Sequence, residues 1–482
     1  MTLDRPLSLF RLSCSVVAAT LVGAALSVAA FRHGPLLTFD GYHYVELAKT
    51  FSISWPDRFG NHWPFGWPLA GGLLVRLGLS GYHALLALSA LSLFVLLQFS
   101  STVLGRHPAR LAVLFAISCA PIIAPQIGSC LTELPFAASL LGLAVCLAHW
   151  PKPTALWAGS ACAVLALGIR YAGIITLPMI GLALVDRWSD LRKAGRLREA
   201  VSALLAAGIF TAVLLAINIA RSGHASGAGR GGALGLASVP REIPSFGWSA
   251  PSALLAGGLR ERIGPESILG LAVGAACFAL ITALCAYAWF RPRSAYSRPL
   301  AIVGFGYASG MCVLHAIGDF DALYNARTFL PAFGPLALLA AELLADRRWA
   351  IGVLCAAVTG AGAVGAVRGI SREIGGDVAS AAAAIRPLVA AADRIVINDH
   401  AMSLSSYLPN RTDRMSTPNW TDHTDAPFLV AAGQPISRDG AGAIVAVEWT
   451  ALAERLVTSG KYRFLIRTPA LIALAREPAP AP

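Results

Sequence analysis

Apolar stretches of about 20 residues recur through the first three quarters of this chain, each long enough to cross roughly 30 Å of hydrocarbon. That recurrence constrains the fold more than any motif does. Spanning segments are expected at 12–31, 84–104, 110–127, 134–149, 154–169, 171–186, 200–220, 266–290, 300–317, 328–345 and 350–368, about eleven helices in all. Composition agrees: 56% of residues are hydrophobic and only 13% are charged, with a mean hydropathy of +0.64. No soluble core needs that much apolar surface.

Orientation follows from where the basic residues fall, because short cytoplasmic loops retain Lys and Arg. With the N-terminus inside, the cytoplasmic loops hold Arg106 and Arg110, Lys152, the run from Asp186 to Glu199, the segment Arg291 to Arg298, and Asp346 to Arg348. The net charge of +12, from 38 basic and 26 acidic residues, is therefore mostly topological. Dispersed between apolar helices, it does not read as a nucleic-acid surface. Arg5 and Arg11 ahead of the first span resemble a signal peptide, but the run is long enough to span and is expected to stay. The nine cysteines lie in or at the ends of spans, so neither a disulfide framework nor a zinc site is expected.

An odd number of spans places the last 110 or so residues outside the cytoplasm. Residues 1–368 are thus expected to form a membrane-spanning catalytic domain with external loops 32–83 and 221–265. Residues 369–482 are expected to form a small extracytoplasmic α/β domain. In the latter, an Ala-rich helix at 377–391 leads to a strand at Arg394 to Asp399, a second strand at 443–449, a helix over LAERLVTSG and a final strand YRFLI.

The first external loop concentrates polar chemistry beside the bilayer, where isolated charges are costly unless paired or used. Asp40 heads the pattern D-G-Y-H-Y-V-E-L-A. A carboxylate there serves either as a base toward an incoming hydroxyl or amine or as the N-cap of a helix starting at Gly41. Tyr44, Leu47, Ala48 and Phe51 recur at helical spacing, as in a helix lying on the membrane surface with Glu46 and Lys49 toward water. NHWPFGWPL turns the chain back into the bilayer. Arg58 and His62 are candidates for phosphate recognition or for snorkelling toward headgroups.

The order of an apolar span, F-D-G-Y-x-Y-x-x-x-A, then W-P-x-G-x-P-L resembles the GT-C superfamily of integral-membrane glycosyltransferases, in particular the branch of protein O-mannosyltransferases and the lipid A aminoarabinose transferase. S-C-L-T-E-L-P-F around Glu133, L-G-I-R-Y-A-G around Arg170 and N-A-R-T-F-L-P around Arg327 follow in the same order. The resemblance implies sugar transfer from a polyprenyl-phosphate-linked donor to an envelope glycan, lipid or protein at the external face of a bacterial inner membrane. It implies Asp40 as catalytic base of an inverting reaction, Glu133 as a second catalytic acid, and Tyr42, Arg58, His62, Arg170 and Arg327 around substrate and phosphate.

Several family members carry Asp-Glu in this loop, whereas Gly41 follows Asp40 here; Glu46, Asp57 or Glu133 would supply the second acid, or none does. Glu133 reads equally as a first-turn acid behind a Thr132 N-cap. Arg170, between two apolar runs, demands a partner or a use. No ligand spacing for a metal is apparent, although Asp319 and Asp321 lie close together. The Gly-rich segment 223–235 lacks the Gly-Lys-Ser/Thr of a nucleotide loop and reads as a linker or gating loop. No cofactor is expected. The rival readings are a transporter or flippase of lipid-linked substrates, which would place its polar site near the midplane, and an inactive scaffold for envelope assembly. The fold expected is an all-α polytopic membrane bundle with a small α/β unit at its C-terminal end.

Overall fold

The computed structural model describes residues 14–30, 39–53, 64–224, 235–254, 267–318, 326–370, 376–389, 394–398, 404, 408, 411–415, 427–432, 447–468 and 471–477. The chain is a polytopic helical membrane protein with a small sheet near its C-terminus.

The helices, in order, are α1 (Cys14–Ala30), α2 (Phe39–Ile53), α3 (Gly66–Arg76), α4 (Gly81–Leu104), α5 (Arg110–Ser118), α6 (Ile123–Gly128), α7 (Glu133–Ala148), α8 (Pro153–Ile169), α9 (Thr176–Asp186), α10 (Trp188–Lys193), α11 (Leu197–Ser222), α12 (Val239–Leu254), α13 (Ile268–Phe290), α14 (Ser297–Gly318), α15 (Ala326–Leu343), α16 (Arg348–Ile370), α17 (Gly376–Val389) and α18 (Val447–Thr458). Each expected span coincides with one of these or, at 110–127, with the pair α5 and α6. Pro121 breaks that span, since a proline removes a helical N–H and disfavours helix in the residue before it. Among the described residues five helices are long and apolar enough to cross a bilayer alone: α4, α11, α13, α14 and α16. Their lipid-facing residues include Leu205, Ile209, Leu280, Phe290 and Val353, all exposed.

The loops expected on one side do meet at one end of the bundle. Arg298 after α13 pairs with Asp186 at the end of α9 at 3.1 Å, and Arg293 pairs with Asp346 after α15 at 2.7 Å. The His149 ring after α7 packs edge-on against Tyr296 with centroids 5.7 Å apart. The opposite end gathers the N-termini of α2, α7 and α15 and the C-terminus of α8.

Residues 239–254 fall in the segment read as external loop. They form α12, which buries Phe246, Trp248, Ser249, Ala250 and Ala253 against α13, α14 and α15. Pro244 and Pro251 within it disguise the helical period. The helix lies so close to α13 that a Cβ on Gly247 would sit 1.9 Å from the Gly274 carbonyl oxygen.

The C-terminal strands β1 (Arg394–Asn398), β2 (Arg411–Met415), β3 (Phe428–Ala432), β4 (Tyr462–Arg467) and β5 (Leu471–Arg476) form one sheet of order β2-β1-β3-β5-β4. β1 runs parallel to β2 and β3, and β5 runs antiparallel to β3 and β4. Strand alternation splits the buried side chains between two faces. Val396, Leu429, Ala431, Ile472 and Leu474 pack on Trp449, Leu452, Ala453 and Leu456 of α18. Ile395, Ile397, Val430, Leu471 and Ala473 pack on Ala382, Ile385 and Val389 of α17, in a cluster that continues into Tyr42, Tyr44, Val45 and Ala48 of α2 and Trp67 of α3. The strand expected at 443–449 is corrected in part: Val447 to Trp449 begin α18, because Trp449, Leu452, Ala453 and Leu456 repeat at helical spacing and cover the sheet. Residues 443–446, and Asp399, lie outside the described residues.

Gly247→Ala is expected to push α12 off α13 and lower stability by about 1–3 kcal/mol, as overpacking against backbone does. Thermal unfolding of the detergent-solubilised protein measures this.

Candidate active site

Asp40 is the second residue of α2, so it does not cap a helix starting at Gly41. Its Oδ2 instead lies 2.7 Å from Nη1 of Arg327, the second residue of α15. Nε of the same guanidinium is 3.4 Å from Oε1 of Glu133, the first residue of α7. Nη1 of Arg170, which ends α8, is 2.5 Å from that same Oε1. Asp40, Arg327, Glu133 and Arg170 therefore form one chain of ion pairs, two acids against two cations, built from four separate elements.

Local sequence explains each placement. After α8 the chain leaves helical geometry at Arg170, with φ −145 and ψ 138, then tightens into a 3₁₀ turn over Tyr171–Ile175. Gly173 makes the reversal possible, since a Cβ there would stand 2.3 Å from the Leu167 nitrogen. Ahead of Glu133, Cys130 takes a left-handed backbone with φ 56, a conformation that costs an ordinary side chain about 1–3 kcal/mol unless its surroundings enforce it. Three bonds do so. Trp67 Nε1 donates to the Cys130 carbonyl at 3.3 Å, Tyr82 OH donates to the Gly128 carbonyl at 3.2 Å, and the Cys130 thiol donates to the Tyr82 carbonyl at 3.8 Å.

Thr132 stands at the N-cap position of α7, but its side chain makes no capping bond. Its hydroxyl accepts from Arg170 Nη1 at 3.2 Å and lies 3.4 Å from the Tyr44 hydroxyl. A further tyrosine, Tyr307 of α14, donates to the Thr328 carbonyl at 3.0 Å next to Arg327. Its ring is flanked by Phe136 and by Phe246 of α12, with centroids 5.9 and 6.2 Å away. Thr132, Tyr44, Tyr82, Tyr307 and Phe246 went unnoticed as site-forming residues in the sequence. Tyr44 and Thr132 stand beside flagged residues, whereas Tyr307 sits in an apolar span without any local signal.

Burial sets the electrostatics. The side chain of Glu133 is 3% exposed, against 30% for Arg170, 27% for Arg327 and 15% for Asp40. Burial alone would raise the Glu133 carboxyl, but Arg170 and Arg327 outweigh it and hold the group below its ordinary 4.5. Burial likewise works against the charge on Arg170 and Arg327, and the neighbouring carboxylates, Glu133 foremost, more than restore it. The Tyr44 phenol is pushed above its ordinary range by burial and stays a neutral hydrogen-bonding group.

Tyr42 is fully buried in the cluster that α2 shares with α17 and the sheet. Arg58, His62, Asp57, Asp319 and Asp321 lie outside the described residues. Glu46 and Lys49, expected to face water, pair with each other at 2.8 Å, and Lys49 is only 5% exposed. The reason is that α2 is covered on a second face: a Cβ on Gly81, at the start of α4, would touch Lys49 Cγ at 3.1 Å. Among the described residues no group of three or more His, Cys, Asp or Glu side chains is gathered to hold a metal.

Neither a protein-family model nor a curated protein sequence matches the chain. Among solved structures, the crystal structure of ArnT from Cupriavidus metallidurans bound to undecaprenyl phosphate superposes with a TM-score of 0.57 at 14% identity, covering 95% of this chain and 97% of that one. The chain has the GT-C fold. Two further solved structures are similar over most of this chain. ArnT in the apo state gives a TM-score of 0.48 at 16% identity over 95% of this chain and 97% of that one. The archaeal oligosaccharyltransferase AglB from Archaeoglobus fulgidus gives 0.45 at 12% identity over 94% of this chain and 79% of that one.

Removing the shared carboxylate leaves two part-buried cations facing each other. Glu133→Gln is expected to destabilise the protein by about 3 kcal/mol, as loss of one partner from a buried pair does. The sign with pH follows from the lowered carboxyl. The contribution is fully present above 4.5 and is lost as pH falls through the depressed value in the folded protein. The gap in melting temperature between wild type and Glu133→Gln should therefore hold constant from about pH 8 to pH 5 and narrow in more acid buffers.

Proposed function

We propose that this protein is a membrane glycosyltransferase that moves a sugar from a polyprenyl-phosphate-linked donor to an extracytoplasmic acceptor. The observation that carries the reading is the paired chain Asp40–Arg327–Glu133–Arg170 at one end of a GT-C bundle. The ArnT structure that shares this fold holds undecaprenyl phosphate, which supports a polyprenyl phosphate as the leaving group here.

In this reading Asp40 is the base. It takes the proton of the acceptor hydroxyl as that oxygen forms a bond to the anomeric carbon. The bond from that carbon to the phosphate oxygen breaks, and the electron pair leaves with the lipid phosphate, which gains a negative charge. Arg327 and Arg170 stabilise this charge with N–H donors directed at the departing oxygens. Attack opposite the leaving group inverts the anomeric centre. Tyr42, Arg58 and His62 are assigned to the surroundings of the substrate. We assign Glu133 to holding both guanidinium groups in place, since one of its oxygens serves both of them. The loops rich in Lys and Arg would face the cytoplasm of a bacterial inner membrane. Residues 369–482 would then form a periplasmic unit beside the site.

The test is transfer from a panel of radiolabelled undecaprenyl-phosphate sugars to cell-envelope extract, comparing wild type with Asp40→Asn at matched folded yield. Loss of a general base is expected to slow transfer by about 10²–10⁴-fold. Equal rates would remove Asp40 from the mechanism, and no transfer from any donor would favour a transporter or an inactive scaffold.

A further inference from the structure

Among the described residues the four charges of the site are matched. Asp40 has its Oδ2 on Arg327, Glu133 has its Oε1 on Arg327 and Arg170, and the formal charges of the four sum to zero. The Asp40 Oδ2 that the guanidinium holds at 2.7 Å is engaged and cannot also receive a hydroxyl along that direction. A phosphate arriving at the same guanidinium meets that carboxylate as a like-charged competitor. The two ends of the chain differ in a way that decides which contact gives. Glu133 is 3% exposed and held by two cations, whereas Asp40 is 15% exposed and, among the described residues, pairs with Arg327. The Asp40–Arg327 contact joins the first turns of α2 and α15.

We infer that Arg327 is an exchangeable latch on Asp40: the phosphate of the donor takes the guanidinium, and only then is Asp40 released to accept the acceptor's proton. The inference rests on the proposed polyprenyl-phosphate reading and adds an order to it, donor before acceptor activation. It also accounts for the anchoring of Glu133, which keeps Arg327 within reach of both competitors while it changes partner. Once Asp40 has taken the proton it is neutral and no longer competes. Arg327 then stays on the lipid phosphate until the proton leaves Asp40, and the returning carboxylate helps to expel the product.

The competition has a sign that a supporting role for Asp40 lacks. Undecaprenyl phosphate binding to the full-length protein in nanodiscs is measured for wild type, Asp40→Asn, Asp40→Ala and Arg327→Gln, each checked for a wild-type melting profile. Undecaprenol and phosphatidylglycerol serve as controls for the lipid chain and for a bulk anionic headgroup. Removing the competing charge is expected to tighten undecaprenyl phosphate binding roughly tenfold in both Asp40 variants and to leave undecaprenol unchanged, while Arg327→Gln weakens it. Equal or weaker binding by the Asp40 variants, with wild type still binding, overturns the latch and leaves the donor assignment standing. Failure of every folded form to bind undecaprenyl phosphate above the phosphatidylglycerol control overturns both.

Discussion

One buried carboxylate organises the charged end of this molecule. Glu133 lies where neither lipid nor bulk water can solvate it, and a charge so placed survives only with partners. It has two, Arg170 from the end of α8 and Arg327 from the start of α15, and through Arg327 it reaches Asp40 on α2. Those helices come from widely separated parts of the chain. Their common point is an electrostatic requirement, since each guanidinium would otherwise be a desolvated cation at the membrane boundary. The surrounding structure serves to hold that point still. The Cys130 turn aims α7, the Gly173 reversal aims Arg170, and the aromatics of α12 back Tyr307 against the start of α15.

Much of this was legible in the sequence because the bilayer writes in a coarse alphabet. Apolar runs of spanning length mark helices with little ambiguity, and the spans so marked coincide with helices or a helix pair. A charge that interrupts such runs stands out for the same reason, as Arg170 does, whereas Glu133 and Arg327 entered through the family resemblance of the motifs around them; the structure joins all three to Asp40. Elements that did not read clearly break the period on which reading depends. α12 carries two prolines and lies in a segment that looks like loop, and β2, with the sequence RTDRM, lacks apolar alternation altogether.

Side-chain environments were less legible than elements. Glu46 and Lys49 are charged residues on a short helix, and amphipathic logic sends such residues to water. That logic assumes one covered face, whereas α2 packs against α3, α4 and the sheet-bearing cluster together. The hydroxyl of Thr132 shows the same limit. Its position in sequence is that of an ordinary cap, but a guanidinium thirty-eight positions later in the chain claims it. Local rules propose partners close in sequence, and tertiary charge demand overrides them.

The cluster joining α2 to α17 and the sheet carries a consequence for how the protein is made. Tyr42, Tyr44 and Val45 emerge from the ribosome several hundred residues before Val430, Leu471 and Ala473, which complete their packing. The helix that presents Asp40 therefore waits, incompletely packed, until those strands have been made. Such long-range closure slows assembly, and it means that a chain cut short before those strands inserts its helices without finishing the packing around α2.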